Sequence, residues 1–204
     1  MTVRPGKPYP LGATLVHDAV HFALVSRNAT RVWLQIYDTS TAARPVQEFE
    51  LKPEEHRTGD VWHIELTGVG AGTLYMYRVD GPFAPDKGLR FNRNRPLLDP
   101  YAKALTGDFR WDLRNAVAYD PTRPERDLGF RTDGDASGLP KCIVVDDEFD
   151  WEGDRPLNYP LRETVIYETH LRGLSMHPSA EAIHPGTYRG AIEMLPYLRD
   201  LGVT

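Results

Sequence analysis

The stretch "RVWLQIY" holds the strongest candidate ligand contact in this sequence. Alternate residues of a β-strand point to opposite sides, so Val32, Leu34 and Ile36 share one face and Trp33, Gln35 and Tyr37 the other. The aliphatic set reads as core. The other set joins two aromatic planes, which stack on the apolar face of a sugar ring, to an amide that bonds hydroxyls. Trp33, Gln35 and Tyr37 are therefore the candidate glycan-binding residues. An outward Trp beside an outward Tyr is unfavourable in water unless something covers it, so packing of Trp33 beneath another part of the chain is the competing expectation.

Other groups that could do chemistry lack partners at the required spacing. "DGDASG" sets Asp133, Asp135, Ser137 and Gly138 at positions one, three, five and six of a calcium loop. Position twelve is then Val144, where a bidentate Glu is needed. "EFDWEG" fails in the same way at Tyr159, so no metal and no cofactor is expected. Cys142 is the single cysteine; it excludes an internal disulfide, reads as a small strand hydrophobe and points to a reducing compartment. A net charge of −5 and a pI near 5.8 argue against a nucleic-acid partner, and Arg90, Arg93 and Arg95 around Phe91 make only a local patch. No apolar run approaches the ~20 residues of a membrane span, and the N-terminus lacks the apolar core of a signal peptide. A cytoplasmic protein with no membrane partner is the expectation.

The elements that would position these groups change character along the chain. "HFALVS", "RVWLQIY", "VWHIELT" and "TLYMYRVD" are short and rich in β-branched and aromatic residues. The turn-like "RNAT" separates the first two, and "GVGAG" reads as a hairpin connection between the last two. This pattern predicts a small antiparallel sandwich. Within it Trp62 is expected in the core and His63 on the strand surface, and one of the pairs Tyr75/Tyr77 and Leu74/Met76 faces inward. Asp99-Pro100 reads as an N-cap and first helical position. Residues 107–160 are irregular apart from "CIVVDD" and read as a wrapping linker.

Beyond residue 160 the period shifts. "ETVIYETHL" is a strand candidate, and "GTYRGAIEMLPYLRDLG" a helix with Thr187 as N-cap and Gly202 just past its end. Pro196 in its interior predicts two helical pieces, the second starting near Leu195. Strand, helix and the opening of another strand make one βα unit, and a parallel strand needs neighbours that this sequence does not supply. The expectation is the front part of a longer protein.

Five phrases, in order, carry a resemblance: "PLGATLVHDAVHFALVSRNATRVWLQIYD", "VWHIELTGVGAGTLYMYRVDGPF", "GLRFNRNRPLLDPYAKALTG", "KCIVVDDEFDWEGDRP" and "TVIYETHLRGLSMHP". Together they resemble the N-terminal portion of isoamylase-type glycogen debranching enzymes. The resemblance implies a mainly β fold, with an immunoglobulin-like glycan-binding-type sandwich over residues 1–106, a linker over 107–160, and over 161–204 the first βα unit of a truncated (β/α)₈ barrel. It implies an α-1,6-glucosidase of retaining mechanism acting on glycogen or a branched α-glucan, with the rest of the barrel in the parent chain as partner. The family's catalytic carboxylates follow later barrel strands, so no catalytic residue is assigned and the chain alone is expected to be inactive. Barrel enzymes build their active sites at the C-terminal ends of the strands. His170 and Arg172 are accordingly possible active-site rim residues, or Arg172 pairs structurally with Glu168. Alternatives are a non-catalytic module tethering a protein to glycogen, and a related trehalose-releasing or branching enzyme.

Overall fold

The computed structural model describes residues 1–107 and 116–204 and divides into two compact units, Met1–Glu148 and Phe149–Thr204. In chain order the first unit contains β1 (Thr2–Arg4), β2 (Gly12–Val16), β3 (Ala19–Val25), β4 (Arg31–Tyr37), β5 (Gln47–Leu51), α1 (Pro53–His56) and β6 (Arg57–Thr58). β7 (Val61–Thr67), β8 (Leu74–Asp80), β9 (Phe83–Ala84), β10 (Leu89–Arg90), β11 (Ala104–Leu105) and β12 (Cys142–Ile143) follow. One sheet has the order β1-β7-β3-β2 with β6 beside β7; the other runs β11-β12-β8-β4-β5; β9 and β10 pair apart from both.

The expected alternation sets the core. Leu24 lies opposite Trp62 and Phe22 opposite Ile64 in the first sheet, while Leu34 faces Tyr77 and Ile36 faces Tyr75 in the second. These side chains, with Val20, Leu66, Val32 and Val79, meet in one buried cluster. Burial of each such side chain stabilises by roughly 1.5–3 kcal/mol. Tyr75 and Tyr77 are the inward pair, and Trp62 packs in the same core with its Nε1 donating to the Ser26 carbonyl at 3.1 Å.

Three local expectations need correction. "GVGAG" does not close a hairpin: β7 and β8 lie in different sheets, and Gly68 and Gly72, at φ 73° and 84°, carry the chain across the sandwich in a conformation other residues resist. Asp99 starts a turn and not a helix, its Oδ1 accepting from the Tyr101 N–H at 2.8 Å, because its other oxygen is committed to Tyr75 in the core. His63 is buried, since α1 and the N-terminal segment cover the outer face of its strand. Residues 116–148, within the stretch expected as linker, belong to the first unit. Their strand β12 pairs with both β8 and β11 and so completes the second sheet.

The second unit is helical. No ladder strand forms over 164–170; the Thr204 N–H bonds the Val165 carbonyl at 3.3 Å, and the Val165 N–H bonds the Thr204 hydroxyl at 3.0 Å. Then come α2 (Leu171–Met176), α3 (Tyr188–Glu193) and α4 (Leu195–Asp200), the last two being the pieces that Pro196 separates. Thr187 caps α3 by accepting from the Gly190 N–H at 3.1 Å. At the end of α4 the Gly202 N–H bonds Arg199 and the Val203 N–H bonds Leu198, the paired closing bonds of a Schellman turn, with Gly202 at φ 90°.

Candidate functional site

The candidate residues of β4 point, as their alternation requires, to the outer face of the second sheet. Trp33 lies opposite Glu50 on β5 and Arg78 on β8, and Gln35 opposite Glu48 and Met76. These neighbours close over the face. The Arg31 guanidinium sits 4.6 Å from the Trp33 ring centroid and that of Arg78 5.1 Å, contacts in which the cation meets the negative face of the indole. Arg31 grips Glu50 through two bonds of 2.7 and 2.9 Å, holding that carboxyl below its ordinary pKa. Arg78 forks onto Glu48 through Nε, at 2.8 Å, and Nη2. Gln35 Nε2 donates to the same carboxylate at 2.7 Å, and the Tyr37 hydroxyl donates to Gln35 Oε1 at 2.9 Å.

A strap from far along the chain covers the other end of this row. The Ala136 N–H bonds the Ala43 carbonyl at 2.9 Å, and Ala136 and Leu139 pack with Tyr37 and Met76 in a second apolar cluster. Lys141 is wholly buried, its Nζ donating to the Ala136 and Leu139 carbonyls at 2.7 and 2.8 Å and lying 5.2 Å from the Tyr37 ring. Burial lowers the Lys141 pKa and raises that of Tyr37. Trp33, Gln35 and Tyr37 are consequently only 7, 3 and 4% exposed. The solvent-open aromatic platform expected from the sequence is corrected by this cover.

What stays open beside the row is a polar cavity of about 680 Å³, where Gln35 and Tyr37 meet Glu48, Arg78, Asn94 and Asp135. Trp33 does not line it. Amide, carboxylate and guanidinium groups offer donors and acceptors in planar pairs, suited to adjacent hydroxyls on a ring. Asp133 at its rim is held by Arg131 at 2.8 Å and pushed down to about 2, and Asp135 accepts from the Ser137 N–H. Among the described residues, no His, Cys, Asp and Glu side chains cluster so as to hold a metal ion. Asn94 escaped the sequence reading, and Asp135 entered it only as a calcium-loop position. Arg78 and Glu48 were legible as cross-strand neighbours once β4, β5 and β8 were aligned, but nothing in the sequence announces a strap from residues 132–141.

His170 and Arg172 belong to the other unit. His170 precedes α2 as its N-cap, Nδ1 accepting from the Gly173 N–H at 3.3 Å, and Arg172 lies in the first turn. Both are exposed. Cys142 is buried against Asp99, whose N–H reaches its Sγ at 3.3 Å, and burial pushes its thiol up to about 12.

The first unit is thus a two-sheet sandwich with a polar cavity on one outer face. Residues 10–102 match the family model Carbohydrate-binding module 48 (Isoamylase N-terminal domain), and this segment is a module of that family. It is 40% identical over 208 residues to a glycogen debranching enzyme of Yersinia enterocolitica, covering 100% of this chain and 29% of the relative. It is also 40% identical to the chloroplastic isoamylase 1 of Oryza sativa subsp. japonica, covering 98% of this chain and 24% of the relative. Among solved structures, the GBS pullulanase SAP in complex with maltotetraose superposes with a TM-score of 0.63 at 27% identity, over 96% of this chain and 23% of that one. The chain thus spans about a quarter of the length of such relatives.

Proposed function

We propose that this chain is the glycan-handling front portion of a glycogen debranching α-1,6-glucosidase. It would engage branched α-glucan at the polar cavity while the carboxylates for hydrolysis lie elsewhere in the parent. The observation that carries the reading is the match across the entire chain to glycogen debranching enzymes, of which it forms less than a third. Retaining glycoside hydrolysis needs two carboxyl groups ~5–5.5 Å apart across the scissile bond. The second unit supports the same reading: Ile166, Ile183, Ile192 and Leu195 stand more than half exposed, an apolar surface of the kind further barrel strands and helices would cover. His170 and Arg172 would then stand near the substrate rim of the completed barrel.

Within the first unit, Gln35, Tyr37 and Asn94 are the groups assigned to glucan hydroxyls, with Trp33 a support beneath Arg31 and Arg78. A single buried Cys fits a reducing, cytoplasmic setting, and no described helix is long and apolar enough to cross a membrane. Affinity electrophoresis of the chain through glycogen-containing gel tests the binding. Retardation that Asn94→Ala and Asp135→Ala weaken supports the cavity; equal mobility with and without glycogen rejects it. Release of linear chains from limit dextrin by the 204 residues alone would reject the placement of the catalytic groups.

A further inference from the structure

Three of the seven histidines form a buried row on the outer face of the first sheet. His21 on β3 and His63 on β7 are diagonal neighbours, since His21 pairs with Glu65 and His63 with Ala23. His56, the last residue of α1, stands closely enough to His63 for its charge to lower the His63 pKa. The three are 4, 5 and 2% exposed respectively. Two pieces of chain cover them. Gly6 lies so close over His21 and Ile64 that a Cβ there would come within 3.0 Å of His21 Nδ1; the other cover is α1 itself.

One hydrogen bond in the row fits a neutral ring only. His56 Nδ1 accepts from the Lys52 N–H at 2.9 Å, a bond that a proton on that nitrogen would abolish. His63 Nε2 lies 2.9 Å from the Thr58 hydroxyl, and His21 bonds the Pro10 backbone. The remaining nitrogens, His21 Nε2, His56 Nε2 and His63 Nδ1, are buried with no protein partner among the described residues. An imidazolium is a donor at both nitrogens. Charging any ring therefore buries an unmatched N–H together with a cation, and the row puts the cations side by side.

Nearby charges do not neutralise the row. Glu65 faces His21 but is shared with Arg4 at 3.2 Å, and Lys7 from the N-terminal segment opposes it. Around His56, Glu54 and Glu55 favour the cation and Lys52 disfavours it. On β6, Arg57 lies over Trp62. Burial is the largest influence on all three rings and lowers each pKa. A histidine whose folded pKa is depressed contributes stability above its unfolded pKa of about 6.5, and that contribution is lost as pH falls through the folded value.

We propose that the row His21–His63–His56 is an acid-sensitive fastening, which holds residues 5–10 and α1 on the sheet while its rings are neutral and releases both when they take up protons. Imidazole C–H resonances of the whole chain, followed from pH 8 to 5, together with amide exchange at pH 7.5 and 5.2, test it. Three rings with midpoints below about 6.5, and exchange at 5–10 and 52–58 that quickens at least tenfold beyond its chemical pH dependence, are expected. His63→Gln removes the middle ring, and the fall in thermal midpoint between pH 7.5 and 5.2 should shrink by about a third. Midpoints at or above the unfolded value, or protection of both segments unchanged at pH 5.2, overturn the proposal. Should His63→Gln fail to fold, the wild-type titration and exchange decide it.

Discussion

The Tyr75 hydroxyl donates to Asp99 Oδ2 at 2.9 Å inside the sandwich, tying the strand β8 to the connection that follows it. Burial is the largest influence on Asp99 and raises its pKa, against the bonds from Tyr101 and Tyr75 that lower it. A carboxyl whose folded pKa is raised contributes stability below its unfolded value, which is lost as pH rises through the folded one. Tyr75→Phe should therefore cost about 1–3 kcal/mol at pH 7, where it strips a donor from a buried charge, and less at pH 4. Asp99→Asn should be the milder change at pH 7. Urea denaturation of both variants at the two pH values checks the crossover.

Lys141 should be the residue on which the strap depends. Lys141→Met keeps an unbranched apolar stem but leaves the Ala136 and Leu139 carbonyls without their donor, at a cost of about 1–3 kcal/mol. Limited proteolysis should then cut within residues 132–140 at least several-fold faster than in the parent. Unchanged resistance would show that the apolar contacts of Ala136 and Leu139 hold the strap without the ammonium.

In the second unit, Thr187→Ala removes the cap of α3 and should lower its stability by about 0.5–2 kcal/mol. Gly202→Ala places a side chain at φ 90° and should cost about 1 kcal/mol. Amide exchange over 188–201 reports both changes, and neither should alter exchange in the sheets of the first unit.

The exposed Ile166, Ile192 and Leu195 predict that the 204 residues self-associate. Replacing Ile166 and Ile192 with Lys should shift the chain toward monomer in sedimentation velocity at equal concentration. A parent chain that is already monomeric would remove this expectation.

Much of the architecture was written in local pattern. The alternation of "RVWLQIY" assigned Val32, Leu34 and Ile36 to the core and Trp33, Gln35 and Tyr37 to the far side, and Thr187, Pro196 and Gly202 marked the ends of α3 and α4 because capping is a short-range matter. What the far side meets was not written there. Its cover comes from residues about a hundred positions downstream, and no period or spacing links "RVWLQIY" to "DGDASGLPK". His63 was misread because the alternation of its strand does not announce that His56 of α1 and Thr58 of β6 lie against it. The connection "GVGAG" showed that the chain turns but not which sheet it turns into. Trp33 lies under Arg31 and Arg78 of its own sheet, neighbours that the competing expectation of packing on the linker or the barrel did not name.

The pairing of β12 with β8 separates the end of the family match from the edge of the folded wall. A piece cut at residue 102 would lack the staves supplied by Ala104–Leu105 and Cys142–Ile143. It would present a raw flank of β8 to solvent, with Tyr37 and Met76 stripped of their apolar lining. Anyone excising this module for display or fusion should carry the chain through to residue 148.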